Sequence, residues 1–324
     1  MSEMQEILQT LRAAAEGTRL RLLTLCAEGE LTVSELTRIT GQSQPRISRH
    51  LKQLVEAGLL ERLREGTHAY YRLAETAQSA EILQTIVDAV PRDDDVIARD
   101  LAHLGEVKQD RARRAAEFFR ENAEEWDAIR ALYIDDGEVK QVLDATWPQK
   151  PVADFLDIGT GTGRMLEMIA HRVERAVGVD LSRDMLAVAR VNIENAGLKN
   201  CQVRHGDMMQ LPLPDSVFDV ATFHLVLHYA ERPAVALREA ARVLRTGGTL
   251  IVIDFTPHTE RQLLEEHGHR WLGFGDDEIQ SWFTEAGLER RASVTLAGDP
   301  LTVKLWPAVK TGGVQGGPAE EIGG

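Results

Sequence analysis

Residues 154–164 read D-F-L-D-I-G-T-G-T-G-R: an apolar run of strand type reaches an acid, Asp157, and passes into three alternating glycines, Gly159, Gly161 and Gly163. A glycine loop between a strand and a helix N-terminus lets a ligand approach the backbone closely. A dinucleotide fingerprint, G-x-G-x-x-G, would place its third glycine at position 164. That position holds Arg164. The loop alone predicts a ligand turn on an α/β sheet and leaves the ligand open.

Working outward, short apolar strands alternate with helical stretches: RAVGVD (175–180), CQVRH (201–205), VFDVATFH (217–224) and TLIVIDF (249–255), then a closing pair near Ala292–Leu296 and Leu301–Trp306. Such alternation implies a mostly parallel sheet with ligands at the strand C-terminal ends. Asp180 ends the second strand 23 residues after Asp157, where an acid can accept from two ribose hydroxyls. Asp207, in HGDMMQLP, follows the third strand and is placed to accept from an adenine amino group, with Met208 against the ring. Asp219 and Phe223 lie in the fourth strand, and Gly247-Gly248 makes a turn before the fifth.

Together these features, from about Phe118 to Trp306, resemble the class I S-adenosylmethionine (SAM)-dependent methyltransferases, most closely the small-molecule branch that includes quinone-biosynthesis enzymes. The resemblance implies a Rossmann-like, mostly parallel seven-stranded sheet and SAM or S-adenosylhomocysteine (SAH) as ligand. Gly159, Gly161 and Gly163 would border the methionine moiety and Asp180 the ribose, with Asp157, Asp207, Met208 and Phe223 completing the site. SAM has no pyrophosphate, so Arg164 is no obstacle.

Methyl transfer from an activated sulfonium needs chiefly in-line positioning, and proton removal is optional. His224 and His228 near the strand ends are the candidate catalytic bases, followed by His258, His267 and His269; each could equally line the pocket. No metal site is expected from them, because positions 267 and 269 do not share a helix face. Arsenic methylation would require several cysteines, and Cys201 reads as a small buried hydrophobe. FHLVLH stands where amino-directed DNA and protein methyltransferases carry an N-P-P-Y type motif, which disfavours a base-modifying enzyme.

Upstream lie helical patterns at 6–14, 18–27 and 32–40, the last opened by Thr32 with Glu35 three residues on, a capping-box signature. In ITGQSQPRISRHLKQLVEAGLL, Ser43 is the expected N-cap of a fourth helix, Pro45 fits its first turn and Gly58 ends it. Ile47, Leu51, Leu54 and Val55 form one buried stripe. Arg46, Arg49 and Gln53 fall on the opposite face with His50 at its edge, and Gln42, Ser43 and Gln44 crowd the end that meets base edges. LLERLREGTHAYYRL reads as a two-stranded wing reaching phosphates through Arg62, Arg64 and Arg72. Residues 38–72 hold seven cations against three anions, a basic patch on a chain of net charge −14.

Residues 10–73, above all TRLRLL, SRHLKQLVEAGLL and the YYRL wing end, resemble the ArsR/SmtB winged-helix repressors. The resemblance implies a homodimer on two-fold double-stranded operator DNA, with the helix at 75–90 helping to dimerise. The cysteines often found in this family's third helix are replaced by Thr32 and Ser34, and Asp88 stands without histidines on the helix that could form an interface site. No metal is therefore expected.

The composition, 43% hydrophobic and 27% charged, is that of a soluble globular protein. Two cysteines exclude a disulfide framework, and neither a signal-peptide core nor a membrane-length apolar run is evident, so a cytoplasmic location without membrane partners is expected. The expected organisation is a winged helix-turn-helix over 1–90, a helical linker and lid over 91–150, the methyltransferase domain over 151–307 and a disordered Gly-rich tail over 308–324. Phe118, Phe119, Trp126 and Tyr133 read as a lid or a packed helical face. The functional expectation is a transcriptional regulator with SAM or SAH as effector; the alternative is an active methyltransferase of a small-molecule acceptor with an autoregulatory DNA-binding domain.

Overall fold

A computed structural model describes residues 3–65, 68–74, 80–121, 136–266, 268–298 and 301–312. Its contacts divide the chain into two units, Met1–Arg120 with Glu194–Lys199, and Glu121–Ile193 with Asn200–Gly324. None of the described helices is long and apolar enough to cross a membrane.

The first unit contains α1 (Glu3–Ala14), α2 (Gly17–Cys26), β1 (Leu31–Thr32), α3 (Val33–Thr40), α4 (Gln44–Glu56), β2 (Leu60–Glu65), β3 (His68–Leu73), α5 (Ala80–Asp88) and α6 (Asp95–Glu121). Thr32 caps α3 through both halves of the expected box: its hydroxyl accepts from the Glu35 amide, and its own amide donates to the Glu35 carboxylate. Gly41 ends α3 at φ 67°, and Gly58 follows α4 at φ 71°. Leu59 N there donates to Leu54 O at 2.9 Å, closing the last turn. Ile47, Leu51 and Leu54 are fully buried with Leu22, Leu36 and Tyr71. The sheet order is β1-β3-β2, with β2 and β3 antiparallel from Leu60↔Leu73 to Glu65↔His68. The wing's turn at 66–67 lies outside the described residues.

The long α6 departs from the expected linker, since Leu104 and Val107 join the winged-helix core. Polar contacts fix it there as well. Arg21 meets buried Asp100 at 2.6 Å, Arg38 meets Asp110 at 2.6 Å, and Arg111 grips Glu35 with two bonds of 2.8 Å. The lid residues Trp126 and Tyr133, and the side chains of Phe118 and Phe119, fall outside the described residues.

The second unit contains α7 (Asp136–Thr146), β4 (Asp154–Ile158), α8 (Arg164–Ile169), β5 (Arg175–Asp180), α9 (Arg183–Asn195), β6 (Cys201–His205), β7 (Phe218–His224), α10 (Pro233–Val243), β8 (Leu244–Phe255), α11 (Gln262–Glu266), α12 (Asp276–Glu285), β9 (Leu288–Arg290), β10 (Val294–Leu296) and β11 (Val303–Lys310). The sheet order is β10-β11-β8-β7-β4-β5-β6. Strands β4 to β8 run parallel, and β11 is antiparallel to β8. The short β9 and β10 pair with different stretches of β11, so they share one position and the sheet has the expected seven. Strand β11 continues to Lys310 with Ala308 fully buried, which moves the expected start of the tail beyond 308; residues 313–324 lie outside the described set.

Because β4 to β8 are parallel, Asp157, Asp180, His205, His224 and Asp254 come to the same end of the sheet. Asp219 sits at the other end. Its carboxylate accepts from the amides of Ala153 and Asp154, each at 3.0 Å, and pairs with Arg245 at 2.8 Å, clamping strand starts together. Phe223 is a correction to the expected ligand contacts. It has no exposed surface and belongs to the core, where an apolar ring contributes about 1.5–3 kcal/mol of burial.

Candidate functional site

At the sheet's C-terminal edge the glycine loop takes the conformation its composition allows. Gly159, Gly161 and Gly163 adopt φ of 73°, 53° and 83°, a region where a side chain is strained. A Cβ on Gly159 would lie 2.3 Å from Val226 Cγ2, whereas one on Gly161 would meet nothing within 4 Å. The loop is thus pressed against Val226 at its start and open at its crest.

Asp180 is fixed directly beside that crest. Gly161 N donates to Oδ2 at 2.8 Å, and Ser182 N donates to Oδ1 at 2.7 Å. Each oxygen retains acceptor capacity for a diol. Burial raises the Asp180 pKa, opposed by the Ser182, Gly161 and Leu181 amides. Asp157, 2% exposed, accepts from Thr222 Oγ1 at 2.8 Å. Burial pushes it up to about 6 against the Thr160 and Thr222 hydroxyls, and neighbouring Asp180 adds to the rise. A buried carboxyl held up in this way favours a cation nearby. Asp207 accepts from Met209 N at 2.8 Å, and Met208 packs half-buried on the core. The structure thus sets Asp157, the glycines, Asp180, Asp207 and Met208 along one edge.

The candidate bases separate. His224 ends β7 half-buried. After it Leu225 turns at φ 52°, an uncommon conformation for a bulky side chain, and Leu227–Tyr229 forms one 3-10 turn. That turn buries His228 completely, with Nδ1 2.7 Å from Asp254 Oδ1 at the end of β8. His269 stacks on the His228 ring at 4.0 Å, and the Phe255 ring centroid is 5.2 Å from that of His228 and 5.7 Å from that of His258. Burial lowers the His258 pKa. His267 lies outside the described residues. Asp254 was missed in the sequence, although it ends a strand in an acid just as Asp157 and Asp180 do. Cys201 is half-buried, and burial pushes its thiol up to about 12, so it stays protonated.

On the first unit Ser43, Gln44, Arg46 and Arg49 are exposed along α4, and Arg62 and Arg64 are exposed on the wing. Gln42 is half-buried, with Nε2 3.4 Å from Thr18 Oγ1. His50 is turned inward, 14% exposed and 3.6 Å from Glu16, and Gln53 accepts from Arg19 Nη1 at 2.9 Å. Arg72 is a correction: it is 7% exposed and bound to Glu61 at 2.7 Å, so its charge is spent inside the wing. Thr32 and Ser34 bond to each other at 3.0 Å, and among the described residues no group of three His, Cys, Asp or Glu could hold a metal ion.

Known proteins divide along the same line. Residues 16–62 match the family model for bacterial regulatory proteins of the arsR family, and residues 156–252 match that of a methyltransferase domain. An uncharacterized methyltransferase, YcgJ of Bacillus subtilis, is 33% identical over 99 residues, 31% of this chain and 39% of that protein. A demethylmenaquinone methyltransferase of Listeria welshimeri is 29% identical over 154 residues, 47% of this chain and 65% of that protein. The crystal structure of the Bacillus YcgJ protein superposes with a TM-score of 0.49 at 20% identity, covering 55% of this chain and all of that one. The chain thus spans less than two thirds of the length of these curated relatives. It joins an arsR-type DNA-binding helix-turn-helix to a methyltransferase domain.

Proposed function

We propose that the protein is a DNA-binding regulator whose methyltransferase domain takes SAM or SAH as effector. The observation that carries this reading is the Asp180 carboxylate, pre-oriented by the Gly161 and Ser182 amides beside an open glycine crest. An acceptor pair held there suits a ribose diol, and the elevated Asp157 suits the cationic end of the same ligand. The exposed Arg46, Arg49 and Arg64 support DNA contact. Met4, Ile7, Leu8 and Leu11 leave an apolar stripe exposed along α1, which supports a homodimer as the unit that reads a two-fold operator.

The alternative reading, an active methyltransferase of a small molecule, is favoured by a different observation: the buried His228–Asp254 pair, which a nucleotide sensor does not need. The deciding experiment titrates binding of the chain to its own upstream DNA with SAM and SAH separately. A shift with one ligand and not the other supports the effector reading. Binding of both without any shift in DNA affinity sinks it and leaves the enzyme. A tenfold shift requires only about 1.4 kcal/mol of coupling. On the DNA side Arg49→Ala is expected to weaken operator binding by about 1 kcal/mol and flatten its salt dependence, with SAM affinity unchanged. Loss of both affinities together would mark a folding defect instead of a lost contact.

A further inference from the structure

The turn after β7 buries an imidazole nitrogen with nothing to bond. Asp254 has no exposed surface, and its oxygens face Nδ1 of His228 at 2.7 Å, the His228 amide at 3.2 Å and the Phe255 amide at 2.8 Å. Facing a carboxylate, Nδ1 of the neutral ring carries the proton, so Nε2 presents a lone pair. Nε2 of His228 is buried without a hydrogen-bond partner, and so is Nε2 of His258, whose ring also packs on Phe255. An unsatisfied buried acceptor costs about 1–3 kcal/mol. The strained Leu225 that sets up the turn is a second local cost at the same place. A purely structural His–Asp clasp accounts for Nδ1 and leaves Nε2 unexplained.

We propose that His228 is the proton acceptor for a hydroxyl-bearing methyl acceptor, of phenol or enol type, and that Asp254 is the residue that positions it; the proposal rests on SAM binding at the glycine loop. In the step, the acceptor oxygen attacks the sulfonium methyl. The O–C bond forms, and the S–C bond breaks with its electron pair going to sulfur, which leaves SAH. The hydroxyl proton passes to Nε2 of His228, and the imidazolium that results is paired with the Asp254 carboxylate until the proton is released to water. A neutral amine attacks with its own lone pair and a thiol ionises near neutrality, so a hydroxyl gains most from a neutral base. The rings of Tyr229, Phe255 and His269 around His228 suit a flat, unsaturated acceptor.

The test uses the full chain with methyl-labelled SAM and a set of phenols and naphthols, set against the matching anilines and thiophenols. SAM affinity is measured on the same samples by calorimetry. Expected are methyl transfer to the hydroxyl series and a fall in kcat of about 100-fold or more in His228→Gln with SAM affinity retained. Transfer confined to the amines or thiols, no transfer at all with SAM bound, or an undiminished His228→Gln overturns the proposal. Failure of SAM to bind the native chain overturns the donor reading first, and this proposal with it. Because a buried substitution can impair folding, the native protein is also read by nitrogen NMR of the imidazole in the SAH complex. His228 is expected as the Nδ1–H tautomer, shifting to Nε2–H in Asp254→Asn; an Nε2–H tautomer in the native protein overturns the assignment.

Discussion

Two polar clusters in this molecule are buried to different degree and finished differently: Arg111 and Glu35 are 13% and 21% exposed, whereas His228 and Asp254 have no exposed side-chain surface. At the start of α3, Glu35 accepts from Arg111 on both carboxylate oxygens and from the Thr32 amide and hydroxyl, and Thr32 and Ser34 share a bond. Where β7 and β8 end, His228 and His258 each keep a buried nitrogen without a partner. A satisfied network stabilises a fold by itself, whereas an unsatisfied one costs stability until a ligand completes it. In the first cluster Thr32, Ser34 and Glu35 are bonded to one another, and Arg111 of α6 completes the Glu35 carboxylate. The second is where the proposed methyl acceptor would complete the unpartnered nitrogen of His228.

The comparison breaks most visibly at Glu35. Glu35→Gln removes one of the two carboxylates that hold Arg111, 13% exposed, leaves it Glu194 at 3.1 Å, and is expected to destabilise the first unit by about 2 kcal/mol. That lies below the cost of fully breaking a buried pair, because Arg111 keeps Glu194 and Glu35 itself stays 21% exposed. Hydrogen exchange of the α3 and α4 amides measures it; unchanged protection would show that the closed network contributes nothing. Burial tends to raise the Glu35 pKa, but the Arg111 and Thr32 bonds outweigh it and hold the group below its ordinary 4.5. The stabilisation is thus present above that value and lost as pH falls through the lower, folded-state pKa.

In the second unit Asp180→Asn is expected to weaken SAM and SAH alike by about 10–100-fold, the worth of charged hydrogen bonds to a diol. Operator affinity without ligand should not change. An unaltered dissociation constant in calorimetry would remove the ribose from this position.

Asp157 gives a pH signature of opposite sign to Glu35. Its folded pKa is raised from 3.8 to about 6, so between those values the folded chain binds more protons than the unfolded one. Stability of the unliganded second unit therefore falls as pH rises through that window, by up to about 3 kcal/mol. A cationic ligand reverses the balance by favouring the ionised carboxylate. SAM affinity should rise by up to about tenfold per unit as pH approaches 6, then level off, with proton release seen on binding at pH 5.5 in buffers of different ionisation heat. SAH, which lacks the sulfonium, should release less. Equal proton release by the two would place Asp157 away from the sulfonium.

Much of this was legible in the sequence because the signals are local. The capping box at Thr32, the stripe of Ile47, Leu51 and Leu54, and the strand-ending acids Asp157 and Asp180 need only neighbours a few residues away. What stayed hidden is long-range. Arg21 finds Asp100, 79 positions on, and His228 finds Asp254, 26 positions on, with no spacing rule to announce either. Phe223 was misjudged for a related reason: the strand period says that alternate residues share a face, but not which face looks into the core. Arg72 looked like a free cation until its neighbour across the wing, Glu61, took its charge.

The smallest expected effect divides two hydroxyls that the sequence presents as equivalent helix caps. Thr32 makes both bonds of its box, so Thr32→Ala should cost about 1 kcal/mol. Ser43 occupies the N-cap position of α4 with extended backbone, yet its side chain makes no capping bond. Ser43→Ala should then change stability by less than about 0.5 kcal/mol, the range of an ordinary surface substitution. With its hydroxyl exposed at the end of α4 proposed to meet DNA, Ser43 can bond a phosphate or a base edge. The expected pattern is a stable Ser43→Ala protein with weaker operator binding, beside a destabilised Thr32→Ala protein. A stability loss at Ser43 equal to that at Thr32 would mean that the serine caps its helix in solution and has no hydroxyl to spare for the operator.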